Sequence, residues 1–219
     1  MSKYNLVLLG PAGSGKSTQA RLIVERLQVE HIDMGAALRK VSSEDTVFGR
    51  ALYETINVRK ELVSDITVGN VLDHEMEKIP SDKGVVVDGA PRRVSQIDEV
   101  EHVFMHYLRT IDKVIFIYLP EEVSVDRIAS RFACVKCDKA YIIHANELAK
   151  HTLKCSVCGG GLEQRVDDTP EGVHKRLAVF AEETMPVIEH YRAKGKLLQV
   201  DGTKSADEIF KDIMIEVAL

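Results

Sequence analysis

The chain has 219 residues, of which 45% are hydrophobic and 29% charged, a composition typical of a globular protein with one large domain. Its net charge of −5 excludes a general basic surface for nucleic acid, so any phosphate binding has to be local. No apolar run approaches the roughly 18 to 20 residues of a membrane helix, and the first apolar stretch runs into glycines instead of a signal-peptide cleavage site. We therefore expect a soluble, cytoplasmic protein that binds neither membranes nor nucleic acid.

Short apolar runs alternate with helical patterns along the chain. Five runs predict buried parallel strands: 5–9, 31–33, 84–87, 113–119 and 197–200. The clearest helix follows the first strand, with apolar residues at the spacing i, i+3, i+4, i+7 from Ala20 to Leu27. Repeated strand–helix units predict a three-layer α/β fold, in which a central five-stranded parallel sheet has helices on both faces.

Two stretches interrupt this alternation. Residues 35–63 have a helical pattern without a strand, and residues 131–168 are irregular and contain all four cysteines. We expect both to be insertions into a core domain made of 1–34, 64–130 and 169–219. A charged helix is predicted from about Pro170 to Lys194, with a kink or break at Pro186 and an end at Gly195.

The segment GPAGSGKS, Gly10 to Ser17, fits the pattern GxxxxGK[ST] between the first predicted strand and helix. Gly13 and Gly15 can take backbone angles that turn successive N–H groups toward phosphate oxygens, beside the positive end of the helix dipole. Lys16 is expected to reach the β and γ phosphates, and the Ser17 hydroxyl can ligate Mg²⁺. A structural glycine-rich turn is the alternative to this nucleoside triphosphate site. Its predicted residues are Gly10, Gly13, Ser14, Gly15, Lys16, Ser17 and Thr18.

A second polar segment, DGAPRR from Asp88 to Arg93, follows a predicted buried strand at the same edge of the sheet. Asp88 is placed to hold Mg²⁺ through water, and the arginines suit a second set of phosphates because a guanidinium keeps its charge and binds bidentately. The alternative is an aspartate that caps a turn beside surface arginines.

The cysteines form two CxxC pairs, Cys134 with Cys137 and Cys155 with Cys158, separated by 17 residues. This spacing fits a four-thiolate zinc site, for which about 15 to 20 intervening residues are typical. Four thiolates leave no open coordination position, so we expect a structural ion, either Zn²⁺ or Fe²⁺, instead of a catalytic one. Disulfides or a redox role are the alternatives, and His144 and His151 are expected to be surface residues.

These segments together resemble the adenylate kinases, in the long form with a zinc-bearing lid, over essentially the whole chain. After the phosphate loop come, in order, HIDMGAALR at 31–39, DGAPR at 88–92, Gln96, RIASR at 127–131, QRVDD at 164–168, Arg176 and DGT at 201–203. The resemblance implies a P-loop fold and transfer of the γ-phosphoryl group of ATP to AMP, which gives two ADP. It also implies Mg²⁺ with ATP and Zn²⁺ in the lid. We expect a monomer.

The resemblance further implies roles for individual residues. Arg39 and Arg92 are expected on the acceptor phosphate, and Arg127 against the donor base. Catalysis is assigned to Lys16, Arg92, Arg127, Arg131, Arg165 and Arg176. The donor site adds Asp88 and Thr203. The acceptor site comprises Met34, Gly35, Arg39, Val63, Gly89, Arg92, Gln96, Arg165 and Arg176. The insertion at 35–63 is expected to clamp the monophosphate and the insertion at 131–168 to cover ATP, so that water is excluded from the reaction.

The sequence departs from the family pattern mainly on the acceptor side. The family usually has Ser or Thr at Met34, Asp at Ala36 and an aromatic residue at Ala90, whereas at Ser17 it usually has Gly. Three alternatives therefore stay open: a kinase for GMP, UMP, CMP or a deoxynucleotide, a nucleotide-binding protein without catalysis, and a nucleic-acid-binding protein that reads its target with the zinc module. The last needs a basic, aromatic surface, yet Tyr141 is the only aromatic residue between the outer cysteines.

Overall fold

The structure is a computed structural model that describes residues 4–59, 61–137, 139–144, 148, 153–164 and 168–217. The strands are β1 (Asn5–Leu9), β2 (Glu30–Asp33), β3 (Val85–Asp88), β4 (Lys113–Tyr118), β5 (Arg131–Cys134), β6 (Ala140–Ile142), β7 (Leu162–Glu163) and β8 (Leu197–Asp201). The helices are α1 (Lys16–Leu27), α2 (Met34–Ser42), α3 (Val47–Tyr53), α4 (Asp65–Met76), α5 (Ile97–His106), α6 (Glu121–Ala129), α7 (Pro170–Val179), α8 (Met185–Ala193) and α9 (Ala206–Val217).

Five of the strands form a parallel sheet in the order β2-β3-β1-β4-β8. Alternate residues of each central strand enter different cores, so Leu6 and Leu8 pack with α1 and α9, while Val7 and Leu9 pack with α4, α5 and α8. Both faces of the sheet are therefore covered by helices, which confirms the predicted three-layer α/β fold. The five predicted strands are also confirmed, and two of them extend one residue further, to Asp88 and to Asp201.

The long helix predicted after Pro170 is interrupted where the sequence indicates. Residues 180–184 form a π-helical turn, and α8 begins at Met185 with Pro186 in its first turn. Proline has no amide hydrogen to donate to the preceding turn, so the wider turn takes up the change in hydrogen bonding. Gly195 ends α8 with a φ of +68°.

The two stretches that interrupt the alternation have different structures. Residues 34–59 form α2, α3 and a π-helical turn at 54–59, as the helical pattern predicts. The cysteine region is less irregular than expected, because β5 pairs antiparallel with both β6 and β7 around a small core that includes Phe132 and Leu162. Strands of two to four residues leave too little periodicity to be recognised in a sequence. Among the described residues, the helices are all too short or too polar to span a membrane.

Candidate active site

The phosphate loop joins the buried strand β1 to α1. Its backbone takes left-handed angles at Gly13 and Gly15, with φ of +77° and +89°. Gly10 is required for a different reason, since a Cβ there would lie 2.6 Å from Ser14 Oγ and 2.7 Å from the Ile117 carbonyl oxygen. The loop therefore has the close, glycine-dependent backbone that the phosphate-binding pattern predicts.

The side chain of Lys16 lies along this loop. Its ammonium group donates hydrogen bonds to the carbonyl oxygens of Gly10, at 2.8 Å, and Pro11, at 3.0 Å. Burial lowers the pKa of Lys16 to about 8, although the nearby carboxylate of Asp88 opposes that shift. The amine is thus held at the loop by backbone acceptors that arriving phosphate oxygens can replace.

Two oxygen ligands meet beside Lys16. The hydroxyl of Ser17 donates to Asp88 Oδ2 at 2.8 Å, which joins the start of α1 to the end of β3. Asp88 is only 4% exposed, and burial raises the pKa of its carboxyl group, with the positive charge of Lys16 opposing the rise. A hydroxyl and a carboxylate in contact are hard oxygen donors of the kind Mg²⁺ prefers, so these residues fit the magnesium of a bound nucleotide.

The arginines predicted around the transferred group are partly held by one buried acid. Asp168 accepts two hydrogen bonds from Arg131, at 2.8 and 2.6 Å, and one from Arg176 at 2.9 Å. Both arginines are half-buried. The structure therefore brings Arg131 and Arg176 together, while Arg165 lies outside the described residues.

Arg127 contacts the phosphate loop, and Thr203 lies in the turn after β8. The guanidinium of Arg127 donates to the Gly13 carbonyl oxygen at 3.3 Å. Thr203 donates both its amide and its hydroxyl to Asp201, at 2.9 and 2.7 Å, in the turn that follows β8. The start of that turn is tied to β4, because the Gly202 amide donates to the Tyr118 carbonyl oxygen at 2.7 Å. Both predicted donor-side residues therefore border the phosphate loop or the neighbouring strand end.

The segment after β3 orders the residues predicted on the acceptor side. Gly89 has a φ of +89°, and its carbonyl oxygen accepts from Arg92 Nε at 2.9 Å. The Arg92 amide donates to Gln96 Oε1 at 2.8 Å, which fixes the orientation of this buried amide side chain. The charges of Arg39 and Arg176 act on Arg92, so three arginines converge on this part of the site.

Two apolar residues of the predicted acceptor site and the neighbouring Ala90 are buried in one cluster. Met34 is 1%, Ala90 2% and Val63 6% exposed. Gly35 follows Met34 at the start of α2, where a Cβ would lie 3.1 Å from Arg39 Nη1. The family usually has a small Ser or Thr at position 34 and a large aromatic residue at position 90. In this chain the sizes are reversed, with a large side chain at Met34 and a small one at Ala90 in the same cluster.

The four cysteines form the predicted metal-binding group. Their sulfur atoms all lie within 4.8 Å of one another, with Cys134–Cys158, Cys158–Cys137 and Cys137–Cys155 distances of 3.4, 3.5 and 3.6 Å. A tetrahedral ion with metal–sulfur bonds of about 2.3 Å has nearly these edges, so the group fits a four-thiolate metal site. His144 accepts or donates a hydrogen bond with Ser130, whereas His151 lies outside the described residues.

Two side chains near these sites were not predicted from the sequence. Tyr141 OH lies 3.2 Å from Cys155 Sγ, and this hydrogen bond lowers the Cys155 pKa to about 6. Asp33 ends β2 and caps α2, because its Oδ1 accepts from the Ala36 amide at 2.8 Å. Asp33 ends a predicted strand, and Asp88 directly follows one. The sequence could therefore have indicated Asp33 as a site residue in the same way as Asp88.

The sheet order, the glycine-dependent loop and the Lys16–Ser17–Asp88 cluster define a P-loop nucleotide-binding protein. A sequence profile described as adenylate kinase matches residues 8–196. The adenylate kinases of Methanosarcina acetivorans and Archaeoglobus fulgidus are each 37% identical, over 95% of this chain and 96% and 95% of their own lengths. That of Kosmotoga olearia is 37% identical over 95% of this chain and 98% of its own. The chain belongs to the adenylate kinase family.

Proposed function

We propose that the protein transfers the γ-phosphoryl group of ATP to AMP and so produces two molecules of ADP. The observation that carries the proposal is the contact of Ser17 with Asp88, at 2.8 Å, beside the loop-bound ammonium of Lys16. That arrangement offers a cation, a metal-binding pair and backbone N–H groups to one polyphosphate. The family of the chain and the mutual electrostatic interaction of Arg39, Arg92 and Arg176 support AMP as the second substrate.

On the donor side, Lys16 exchanges its two carbonyl acceptors for β- and γ-phosphate oxygens. Ser17 and Asp88 would hold Mg²⁺, which would supply positive charge to neutralise the phosphate oxygens. Gly10, Gly13, Ser14, Gly15 and Thr18 supply the loop around them. Arg127 and Thr203 lie against the donor nucleoside.

On the acceptor side, Arg39 and Arg92 bind the phosphate of AMP, and Arg131, Arg165 and Arg176 surround the transferred group. Phosphoryl transfer depends on alignment and on neutralisation of charge more than on covalent catalysis, so a ring of fixed cations contributes most of the rate. Asp168 keeps Arg131 and Arg176 in place before substrate arrives, since it hydrogen bonds to both.

The two insertions divide the task of excluding water. Residues 35–63 form the clamp over the monophosphate, and residues 131–168 form a lid over ATP, on a core of 1–34, 64–130 and 169–219. The four cysteines hold a structural Zn²⁺ that stabilises the lid, whose core otherwise consists of a few apolar residues. Closure prevents hydrolysis of ATP by water.

The base pocket is formed by Met34, Gly35, Val63, Gly89 and Gln96, and it reads adenine loosely. Gln96 presents its amide to the base, whereas Met34 offers only apolar contact, which discriminates among bases by about 1 to 3 kcal/mol. The buried Met34 and Ala90 favour one second candidate, a kinase for another nucleoside monophosphate.

A coupled assay of diphosphate formation tests the proposal, with ATP as donor and AMP, GMP, CMP, UMP and dAMP as acceptors. We expect transfer to AMP to be fastest. Faster transfer to another acceptor would support the second candidate, and formation of no diphosphate with any acceptor would contradict both. The proposal extends to a monomer acting in the cytoplasm, for which sedimentation of the purified protein and cell fractionation are the measurements.

A further inference from the structure

Asp33 lies beside the proposed magnesium site although it belongs to neither of the metal-binding segments. It ends β2 as Asp88 ends β3, and the two residues are paired in the register of these adjacent parallel strands. Paired residues of neighbouring parallel strands project from the same face of the sheet. Asp33 and Asp88 therefore lie side by side at the edge where the phosphate loop is found.

The charges around Asp33 are those of the phosphate site. Its carboxylate acts electrostatically on Lys16, Asp88 and Arg92. Before any nucleotide binds, the cluster contains two carboxylates, Asp33 and Asp88, and at least two cations, Lys16 and Arg92. Lys16 turns to phosphate oxygens on binding, and a divalent cation that arrives with the nucleotide would then balance the two carboxylates.

The helix-capping bond occupies one acceptor position of this carboxylate. Oδ1 accepts from the Ala36 amide at 2.8 Å, and a carboxylate has about four acceptor positions on its two oxygens. The family usually has Asp where this chain has Ala36. The acid at the start of α2 is instead Asp33, three residues earlier in the chain.

We propose that Asp33 is a positioning residue for the magnesium of bound ATP. Its carboxylate would accept hydrogen bonds from the metal's water ligands, while Ser17 and Asp88 would hold the metal. This inference rests on the proposed function. Such outer partners typically change metal affinity by about tenfold or more. The carboxylate also repels phosphates that carry no metal. Asp33 should therefore strengthen the binding of ATP with Mg²⁺ and weaken the binding of ATP without it.

The test compares ATP binding by calorimetry in Mg²⁺ and in EDTA, without an acceptor. Asp33→Asn removes the charge and keeps a good helix cap, because Asn and Asp cap equally well. Glu30→Gln is the matched control, since it removes one charge from the exposed first residue of the same strand. A direct readout is the affinity of Mn²⁺ for the protein with bound ATP, measured by electron paramagnetic resonance.

We expect Asp33→Asn to lower Mn²⁺ affinity and the Mg²⁺-dependent gain in ATP affinity by about tenfold. Metal-free ATP should bind as tightly or more tightly, and Glu30→Gln should change neither value. The inference is wrong if Asp33→Asn keeps the full metal dependence, weakens ATP equally in both conditions, or changes only AMP affinity through neighbouring Arg39. Failure of the unaltered protein to bind ATP in either condition would instead contradict the proposed function as well.

Discussion

The phosphate loop on the donor side and the apolar cluster on the acceptor side differ in what holds their residues in place. On the donor side, Lys16 and Ser17 are fixed by hydrogen bonds to backbone carbonyls and to Asp88. On the acceptor side, Met34, Val63 and Ala90 are fixed by packing in an apolar cluster. Charge and backbone geometry permit few substitutions, whereas packing can be restored by a second change. The departures from the family pattern accordingly concentrate on the acceptor side.

Lys16→Met gives the largest expected effect, because the donor side depends on a cation that contacts the phosphates throughout the transfer. We expect kcat to fall by about 10²-fold or more, with a melting temperature close to that of the unaltered protein. Steady-state kinetics and thermal denaturation measure the two quantities. Retention of normal turnover would show that the donor side does not work as proposed.

Asp168→Asn tests whether Arg131 and Arg176 have to be held in place by Asp168 before the substrates bind. The amide keeps the size of the carboxylate but accepts weaker bonds and places an NH₂ group against two guanidinium groups. We expect kcat to fall by roughly tenfold or more while KM for ATP changes little. Glu163→Gln, an exposed acid on β7, is the control and should keep the original kcat. An equal loss in both variants would point to general charge effects.

The pKa of Lys16 makes donor binding depend on pH. Since that pKa is lowered to about 8, the free protein carries a charged Lys16 below that pH and loses the charge as pH rises through it. Bound phosphates favour the charged form, so ATP binding near pH 8.5 should take up protons. We expect ATP affinity to fall by about tenfold per pH unit above 8. Calorimetry in buffers of different ionisation enthalpy measures the uptake, which Lys16→Met should abolish.

Removal of the metal ion expected at the four cysteines tests a region that belongs to neither the donor side nor the acceptor side. The cysteines lie in and beside the small β5-β6-β7 sheet, whereas Lys16 and Asp88 belong to α1 and β3 of the main sheet layer. A strong chelator, or the double change Cys134→Ser and Cys137→Ser, should lower the melting temperature because the metal stabilises only the folded lid. Activity should survive at low temperature. Immediate loss of all activity with unchanged melting would indicate a catalytic metal.

Sequence reasoning succeeded where one local pattern dictates one structure. The five sheet strands, the glycine-dependent loop and the cysteine group follow from short motifs whose geometry is nearly independent of the rest of the chain. It missed features that depend on pairing between distant segments. The register that sets Asp33 beside Asp88, the short strands of the cysteine region and the hydrogen bond from Tyr141 to Cys155 all arise from tertiary contacts. The Pro186 break was predictable because proline acts through local chemistry.

Met34→Thr gives the smallest expected effect and bears on the acceptor side. A hydroxyl can hydrogen bond to a base edge as methionine cannot, so kcat/KM for AMP should rise by a few-fold relative to GMP, CMP and UMP. The change also removes buried volume from a side chain that is 1% exposed, and the melting temperature should fall. Met34→Val loses nearly the same volume as Met34→Thr without gaining a hydroxyl, and a gain in selectivity that appears in both variants would come from the enlarged pocket. Gln96→Ala should flatten whatever preference exists, because the proposed function has its amide hydrogen bond to the base. If the unaltered protein prefers GMP or a pyrimidine monophosphate over AMP by more than about 200-fold, the size exchange between Met34 and Ala90 has changed the substrate itself, since a lost apolar contact alone is worth only about 10- to 200-fold.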